Sequence, residues 1–301
     1  MKVLAFGEIL WDVIEGNEHL GGAPFNFAAH SAQCGNESYI VSRLGVDPLG
    51  IRAYNQCKSH GVGQAFIQWD EKYPTGTVNV TLTNGQPDYV IHEDVAYDFI
   101  NGAPIVPGIK NLQPDVFYFG SLAQRKEVSA TALDLLIANL DCKYIFYDVN
   151  LRKSGYSELI IRNSLKVCNV FKLNNEELPV ISKILTGKAM VMEEFMRTLS
   201  HMFPKMRLII VTAAEKGCYL FEVGKGLVSV PGVPVKVADA VGAGDAFSAA
   251  FMHMLGNYGD PLVAARVANR VGAFVASQHG PIPEYPAGIK DMLDGKVKVT
   301  G

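Results

Sequence analysis

Asp239-Ala-Val-Gly-Ala-Gly-Asp-Ala-Phe247 is a glycine-rich turn that runs directly into an apolar helix-like stretch. From Asp245 to Leu255 the apolar residues recur at helical spacing. A glycine turn that opens a helix presents unpaired backbone N–H groups and the positive end of the helix dipole, which together bind phosphate without a basic side chain. Asp245 in such a turn either caps the helix or takes a proton from a hydroxyl held beside the phosphate, and this stretch alone leaves both roles open.

Short runs of β-branched and aromatic residues alternate with helix-like segments along most of the chain. The predicted strands are Val3–Phe6, Tyr39–Ser42, Val116–Phe119, Tyr144–Val149, Val170–Leu173 and Leu208–Thr212. The predicted helices include Pro24–Cys34, Pro48–His60, Ser129–Leu140 and Val191–Met202. This alternation predicts an α/β fold in which helices cover both faces of a mostly parallel sheet. Ligands gather at the carboxyl ends of such strands, so we expect functional side chains at Asp12, Asn150, Arg152, Asn174 and Thr212.

Residues 65–100 break this alternation. Thr77–Thr83 alternates apolar and polar residues strictly, and Gly85 and Pro87 mark a turn before a second strand-like run at Tyr89–His92. The pattern predicts a small antiparallel sheet with one apolar face, which the sheet cannot bury by itself. We expect this face to cover the active site or to pair with its copy in a homodimer.

Composition excludes several classes of protein. The net charge is −3, the charged residues are interspersed and the pI is near 6.2, which argues against a protein whose main role is to bind nucleic acid. Glu8 and Asp12 interrupt the apolar N-terminus before a signal sequence forms, and no later run approaches the roughly 18 apolar residues of a membrane helix. The five cysteines are scattered without CxxC spacing, as is typical of a reducing compartment. We therefore expect a cytoplasmic protein that binds neither nucleic acid nor membranes.

A second glycine-containing stretch lies near the N-terminus. Gly21-Gly-Ala-Pro-Phe-Asn-Phe-Ala28 couples two glycines to a proline suited to the first turn of a helix. Asn26 then lies one turn inside that helix, where its amide bonds either to a sugar hydroxyl or to the local backbone. Asp12, taken to follow the first strand directly, is either a ligand carboxylate or a turn former.

Gly21–Ala28 and Asp239–Phe247 resemble the first and second signatures of the PfkB (ribokinase-like) carbohydrate kinase family, in the order found in that family. Gly7–Asp12, Ser42–Gly50 and Asn174–Glu177 are similar to further family features, so the resemblance covers nearly the whole chain. It implies a three-layer ribokinase-like α/β fold plus a small β-sheet lid.

The domain organisation implied by the resemblance is one α/β domain over residues 1–301, with the lid formed by roughly residues 12–22 and 65–100. Sugar is expected to bind first, in the cleft under the lid. Closure would then exclude water, which otherwise accepts the phosphoryl group.

The resemblance also implies the catalytic residues. Asp245 is implied to be the general base, and the backbone of Gly242, Ala243 and Gly244 is implied to form an anion hole around the migrating phosphoryl group. Because Asp245 lies at a helix N-terminus, we expect a lowered pKa and a weak base. Orientation of the hydroxyl would then matter more than basicity, as in other phosphoryl transfers.

Sugar and magnesium sites are implied in the same way. The family positions that bind sugar correspond to Asp12, Gly22, Asn26, Asn150 and Arg152. The alternative for Arg152 is a surface ion pair. Glu177 matches the residue that acts through water on Mg²⁺, which binds few protein ligands directly and keeps several waters. The alternative for Glu177 is an ordinary acidic residue in the first turn of a helix.

Nucleotide and potassium sites complete the implied set. The nucleotide-binding positions correspond to Asn174, Thr212, Gly217, Gly244 and Asn269.

Two residues depart from the family pattern: Ala214 stands where glycine is common, and Ala240 stands where threonine is usual. The carbonyl groups of Asp239 and Val241 match positions that bind K⁺ in many family members. The chain has no G-x-x-x-x-G-K-[ST] run, so a Walker-type loop is excluded as its ATP site.

The sequence is thus most consistent with an ATP-dependent sugar kinase. Three stretches look like bacterial fructokinases of the family: Tyr73–Val78, Tyr89–Glu93 and Ala96–Ile100. This resemblance favours D-fructose phosphorylated at the 6-hydroxyl. The alternative substrate is 2-keto-3-deoxygluconate or a similar acid, whose carboxylate would meet Arg152. The alternative from another class is a sugar-binding regulatory protein that kept the fold without catalysis.

Overall fold

The computed structural model describes residues 1–14, 16–83, 86–152 and 155–297. The strands are β1 (Lys2–Phe6), β2 (Leu10–Ile14), β3 (Asn17–Gly21), β4 (Glu37–Gly45), β5 (Val62–Gly63), β6 (Ile67–Asp70), β7 (Gly76–Thr83), β8 (Gln86–Ile91), β9 (Val116–Phe119), β10 (Tyr144–Asp148), β11 (Val170–Asn174), β12 (Leu208–Thr212), β13 (Cys218–Glu222) and β14 (Gly226–Val230). The α-helices are α1 (Ala23–Gln33), α2 (Pro48–Ser59), α3 (Val106–Leu112), α4 (Glu127–Ala138), α5 (Glu158–Val167), α6 (Glu177–Thr186), α7 (Met192–Met202), α8 (Ala243–Tyr258), α9 (Pro261–Ala276) and α10 (Ala287–Leu293). Short 3₁₀ turns lie at Ala96–Phe99, Leu122–Gln124 and Ala214–Lys216.

The main sheet is mostly parallel, as the alternating pattern predicted. Its order is β14-β13-β12-β11-β10-β9-β1-β4-β5, and β6 also pairs with β4. Every pair from β12 to β5 is parallel, whereas β13 and β14 add an antiparallel edge. All six predicted strands of the main sheet and the named helices are present, with ends shifted by at most three residues.

Two apolar cores lie on opposite faces of this sheet. Successive strand residues point to opposite faces, so Val3 and Ala5 join the core formed with α1, α8 and α9, whereas Leu4 and Phe6 join the core formed with α4 to α7. The predicted three-layer α/β architecture is therefore confirmed. Over the described residues, no helix combines the length and apolar character needed to cross a bilayer.

A separate four-stranded sheet, here called the small sheet, has the order β3-β2-β7-β8. The predicted hairpin corresponds to β7 and β8, which pair antiparallel, and Val78 on β7 is buried as expected. Gly85 of its predicted turn lies outside the described residues. The sheet is not purely antiparallel, because β2 and β7 run parallel. The preceding stretch, β6, pairs with the main sheet instead.

The position predicted for Asp12 is wrong. Asp12 does not directly follow the first strand: it lies within β2, where it pairs with His19 on β3 and Val78 on β7. The error arose because the apolar run after Phe6 was taken as one continuous strand, whereas the chain bends at residues 7–9 and starts a second sheet. Asp12 therefore belongs to the small sheet.

Candidate active site

The glycine turn before α8 presents free backbone donors. Gly242 has φ of 80°, and a Cβ there would lie 2.3 Å from the carbonyl oxygen of Pro281, so only glycine fits. Within the part of the chain that the structure describes, the N–H groups of Gly244 and Asp245 have no hydrogen-bond partner. Gly244 is also solvent-exposed. The turn can therefore accept an anion at the positive end of the helix.

Asp239 connects this turn to the loop at Gly280 through hydrogen bonds. Its Oδ1 accepts a hydrogen bond from the Val241 N–H at 3.0 Å, and its Oδ2 accepts one from the Gly280 N–H at 3.3 Å. The carboxylate therefore holds the two segments side by side. The carbonyl groups of Asp239 and Val241 lie in this braced turn, and Val241 is exposed.

The two glycine-containing stretches meet at Asp245. Asn26 lies on α1, which begins just after Gly22, and its Nδ2 donates a hydrogen bond of 2.8 Å to Asp245 Oδ2 across 219 residues of sequence. Asn26 is buried, and within the described ranges its Oδ1 has no partner. Asp245 keeps part of its surface accessible. The local-backbone bond considered for Asn26 is therefore not what its amide donor makes here, because the donor is directed at Asp245.

The predicted low pKa of Asp245 is wrong. Burial, with a smaller contribution from repulsion by Asp148, raises the pKa of Asp245 to about 7, although the Asn26 hydrogen bond, Lys172 and Arg152 act in the opposite direction. The helix N-terminus alone would lower it, but loss of hydration outweighs that effect. A carboxylate with this pKa is well matched to accept a proton near neutral pH.

Two of the predicted sugar-binding residues, Asp12 and Arg152, interact electrostatically. Burial raises the pKa of Asp12, whereas Arg152 lowers it, so these two side chains are electrostatic neighbours. Arg152 is exposed and also lowers the pKa of Asp245, so its positive charge acts on both carboxylates. Asn150, in the same loop, has a left-handed backbone with φ of 42°. That conformation is tolerated best by Asn, Asp and Gly.

Glu177 fixes the loop that carries Asn150 and Arg152. Its Oε1 accepts a hydrogen bond of 2.7 Å from the Leu151 N–H, and its Oε2 accepts one of 2.8 Å from the Asn174 N–H. Asn174 Oδ1 in turn accepts from the Glu177 N–H at 2.8 Å. Glu177 thus joins the ends of β10 and β11, in addition to starting α6.

The predicted nucleotide turn follows β12. Thr212 ends this strand, and Ala214 has φ of 48°, a left-handed conformation that explains why glycine is common there. Gly217 packs so closely on the next segment that a Cβ would lie 2.2 Å from the Val230 carbonyl oxygen. The turn therefore keeps its shape with alanine at position 214, at the cost of backbone strain.

Asn269 lies against the same segment from α9. Its Nδ2 donates hydrogen bonds to the carbonyl oxygens of Val230 at 3.2 Å and Pro231 at 3.0 Å, and the residue is buried. The amide donors are therefore directed at the protein backbone. Asn269 stabilises one wall beside the nucleotide turn.

Three buried charged residues near Asp245 were not predicted. Asp148 and Lys172 form an ion pair of 2.6 Å, and Glu8 is buried with an Oε2 that has no partner among the described residues. Burial raises the pKa of Glu8 to about 7. Lys172 did leave a signal in the sequence, since it is a lone charge inside the apolar strand Val-Phe-Lys-Leu-Asn. A lysine there needs a buried partner.

The chain is similar over most of its length to proteins of known family. The family model described as pfkB family carbohydrate kinase matches residues 2–287. Probable fructokinase-5 of Arabidopsis thaliana is 28% identical, with 98% of each chain covered. The structure of an uncharacterized sugar kinase from Pyrococcus horikoshii in complex with ATP aligns with a TM-score of 0.80 at 26% identity, covering 93% of this chain and 94% of that one. The fructokinase with bound ATP from Xylella fastidiosa shares the fold with a TM-score of 0.87 at 20% identity, covering 98% of both chains.

Proposed function

The chain belongs to the pfkB family of carbohydrate kinases, which are phosphotransferases acting on sugar hydroxyls, and we propose that it transfers the γ-phosphoryl group of ATP to the 6-hydroxyl of D-fructose. One observation carries this proposal: Asn26 and Asp245 from the two glycine-containing stretches are in contact at the glycine turn, whose Gly244 and Asp245 N–H groups have no partner among the described residues. That arrangement puts a proton acceptor and an anion site side by side. The curated fructokinases that the chain resembles support fructose as the acceptor.

In the proposed reaction Asp245 accepts the proton of the sugar hydroxyl. The hydroxyl oxygen forms a bond to the γ-phosphorus, the bond from that phosphorus to the bridging oxygen breaks, and ADP leaves with the electron pair. The N–H groups of Gly244 and Asp245 stabilise the charge on the phosphoryl oxygens, and Gly242 and Ala243 give the turn its shape. The pKa of about 7 for Asp245 keeps it substantially ionised at neutral pH.

The sugar is proposed to lie between the small sheet and α1. Asp12 and Asn150 would bind its hydroxyl groups, and the Asn26 Oδ1, which has no partner within the described residues, would accept from another. Gly22 lets the sugar approach the start of α1. Arg152 would lie beside the sugar or the phosphoryl group, because it is exposed and interacts electrostatically with Asp12 and Asp245.

ATP is proposed to lie along the turns that follow β11 and β12. Thr212 and Gly217 would contact the phosphates and ribose, Asn174 would face the phosphates, and Asn269 would support the wall beside the base. The P. horikoshii sugar kinase, similar in fold and sequence, has been seen in complex with ATP. This supports the same cofactor here.

Two cations are proposed to assist. Over the described ranges no cluster of three His, Cys, Asp or Glu side chains could hold a metal. Mg²⁺ would therefore bind together with the nucleotide and keep most of its water ligands. Glu177 would contact it through one of these waters. Bound there, Mg²⁺ would neutralise phosphate charge. The carbonyls of Asp239 and Val241, in the turn braced by the Asp239 carboxylate, fit K⁺.

The small sheet is proposed to act as the lid of this site and as a dimer contact. Asp12 lies on it and interacts electrostatically with Arg152, which supports placing the sheet over the proposed sugar site. Its outer strand β8 has a free edge and an exposed Val90, which could pair with a second copy. Size-exclusion chromatography with light scattering would detect the dimer, and a monomer at assay concentrations would exclude it.

The main alternative substrate is a sugar acid such as 2-keto-3-deoxygluconate, because the exposed guanidinium of Arg152 would suit a carboxylate. A panel of sugars and sugar acids with ATP and Mg²⁺, read by ADP release and product identification, separates the two. We expect the highest kcat/KM with fructose. Far higher turnover of the acid would replace fructose while keeping the enzyme class.

Asp245→Asn serves as the negative control in the same assay. General-base loss should lower kcat by about 10²–10⁴-fold. Sugar binding with no ADP release from the wild-type chain, under any combination of Mg²⁺ and K⁺, would favour a sugar-binding regulatory protein instead.

A further inference from the structure

Lys172 lies directly beneath the glycine turn. It is on β11, is only 6% exposed, and its Nζ lies 3.8 Å from the position that a Cβ on Gly244 would occupy. Gly244 is exposed, and its N–H has no hydrogen-bond partner among the described residues. The ammonium group therefore lies next to the residue that carries a free backbone donor.

Asp148 holds this ammonium group in place. Asp148 Oδ2 accepts a hydrogen bond from Lys172 Nζ at 2.6 Å. The single hydroxyl hydrogen of Ser248 is shared between the Gly244 carbonyl oxygen at 2.9 Å and Asp148 Oδ2 at 3.2 Å. The ion pair is thus tied to the first turn of α8. Its position follows the position of the glycine turn.

The ammonium group retains unused donors. A lysine ammonium carries three N–H donors, and over the described part of the chain Lys172 Nζ donates one hydrogen bond, to Asp148. Buried polar groups are normally fully hydrogen-bonded. An oxygen atom of a ligand seated at Gly244 would supply the missing acceptor.

We propose that Lys172 binds the phosphoryl group during its transfer, as a cationic partner to the backbone N–H groups. This inference rests on the proposed kinase function. As the γ-phosphorus moves from the bridging oxygen of ADP to the sugar oxygen, Lys172 contacts one of its equatorial oxygens, and Asp245 takes the hydroxyl proton. Asp148 is a positioning residue, because it acts through Lys172.

The test compares Asp148→Asn with the double variant Asp148→Asn/Lys172→Met. The double variant leaves no unpaired charge in the interior, which protects the fold, and a circular dichroism melt of each variant confirms folding. Lys205→Met, which removes an exposed lysine, is the matched control. Calorimetry in Mg²⁺ measures the dissociation constants of ADP and of AMP-PNP, which differ in the terminal phosphoryl group, and kinetics give kcat.

We expect Asp148→Asn to retain the preference for AMP-PNP over ADP and the double variant to lose roughly 10- to 100-fold of it, since a charged hydrogen bond is removed. The kcat of the double variant should fall about 10²–10³-fold below that of Asp148→Asn.

Equal losses for ADP and AMP-PNP, or an unchanged kcat, would refute a contact with the phosphoryl group while wild-type sugar phosphorylation still upheld the proposed function. A wild-type chain that neither phosphorylates sugars nor binds either nucleotide would remove both.

Discussion

The hydrogen bond from Asn26 to Asp245 gives a direct test of how the base is tuned. Leucine has nearly the shape of asparagine but no donor, so Asn26→Leu removes the bond of 2.8 Å without leaving a large cavity. This bond is the strongest of the interactions that lower the pKa of Asp245, against burial and Asp148. Its loss should therefore raise a pKa that is already about 7.

The size of the shift follows from the strength of the bond. A hydrogen bond to a charged group contributes about 1.5–3 kcal/mol, and one pKa unit corresponds to about 1.4 kcal/mol, so the pKa should rise by roughly 1–2 units. Asp245 must be ionised to accept a proton, and activity is lost as pH falls through its pKa. The acidic limb of the variant should accordingly move to higher pH. At pH 7 the variant would be mostly protonated and slow.

The assay is kcat/KM for the best sugar measured from pH 5.5 to 9.5 by ADP release. Wild type should reach half of its plateau near pH 7, and Asn26→Leu should reach half of its own plateau roughly 1–2 units higher. Asn139→Leu, at the end of α4, is the matched control and should keep the wild-type profile. If the limb of Asn26→Leu stays in place or moves down, the hydrogen bond does not control the base. A lower plateau with an unmoved limb would show that Asn26 only binds sugar.

Two further predictions concern stability. Ala214→Gly should raise the free energy of unfolding by about 0.5–1 kcal/mol, because left-handed alanine is strained by about 1–2 kcal/mol and the entropy of glycine offsets part of this. Urea unfolding measures the change, and the neighbouring Ala213→Gly should destabilise the chain instead. A destabilised Ala214→Gly would show that the strain is not real. Glu8→Gln should stabilise the chain at pH 8 by up to roughly 3 kcal/mol relative to wild type, and far less at pH 5. The reason is that folding raises the pKa of Glu8 from 4.5 to about 7, so wild type loses stability as pH rises across that window. Equal effects at both pH values would contradict a buried carboxyl that titrates there.

The sheet and the glycine turn could be predicted because their causes are local. Alternating short strands and helices indicate a parallel sheet with two covered faces. Position 242 requires glycine, since a side chain there would clash with Pro281. The small sheet was harder to outline. The bend at residues 7–9 depends on packing and not on the apolar pattern, so Asp12 was placed one strand too early.

The contacts of Asp245 could not be derived from local sequence. Its partner Asn26 is 219 residues away, and only the family resemblance brought the two stretches together. The ion pair of Asp148 and Lys172 joins adjacent strands that are separated by α5, so neither residue carries a motif by itself. Burial and these neighbours, not the helix end, set the pKa of the base.

The position and the basicity of Asp245 therefore have different origins. The glycine turn and α8 place the carboxylate beside the anion site, and the helix end that attracts phosphate would by itself make the base weak. Asp148 on β10 opposes that effect, because its negative charge raises the pKa of Asp245. Lys172 on β11 is paired with Asp148 and offers its remaining donors to the phosphoryl group. Binding of a phosphate can thus be strong while the base remains able to accept a proton near neutrality. Substitutions on β10 and β11 should consequently change the pH dependence of catalysis more than the affinity for sugar.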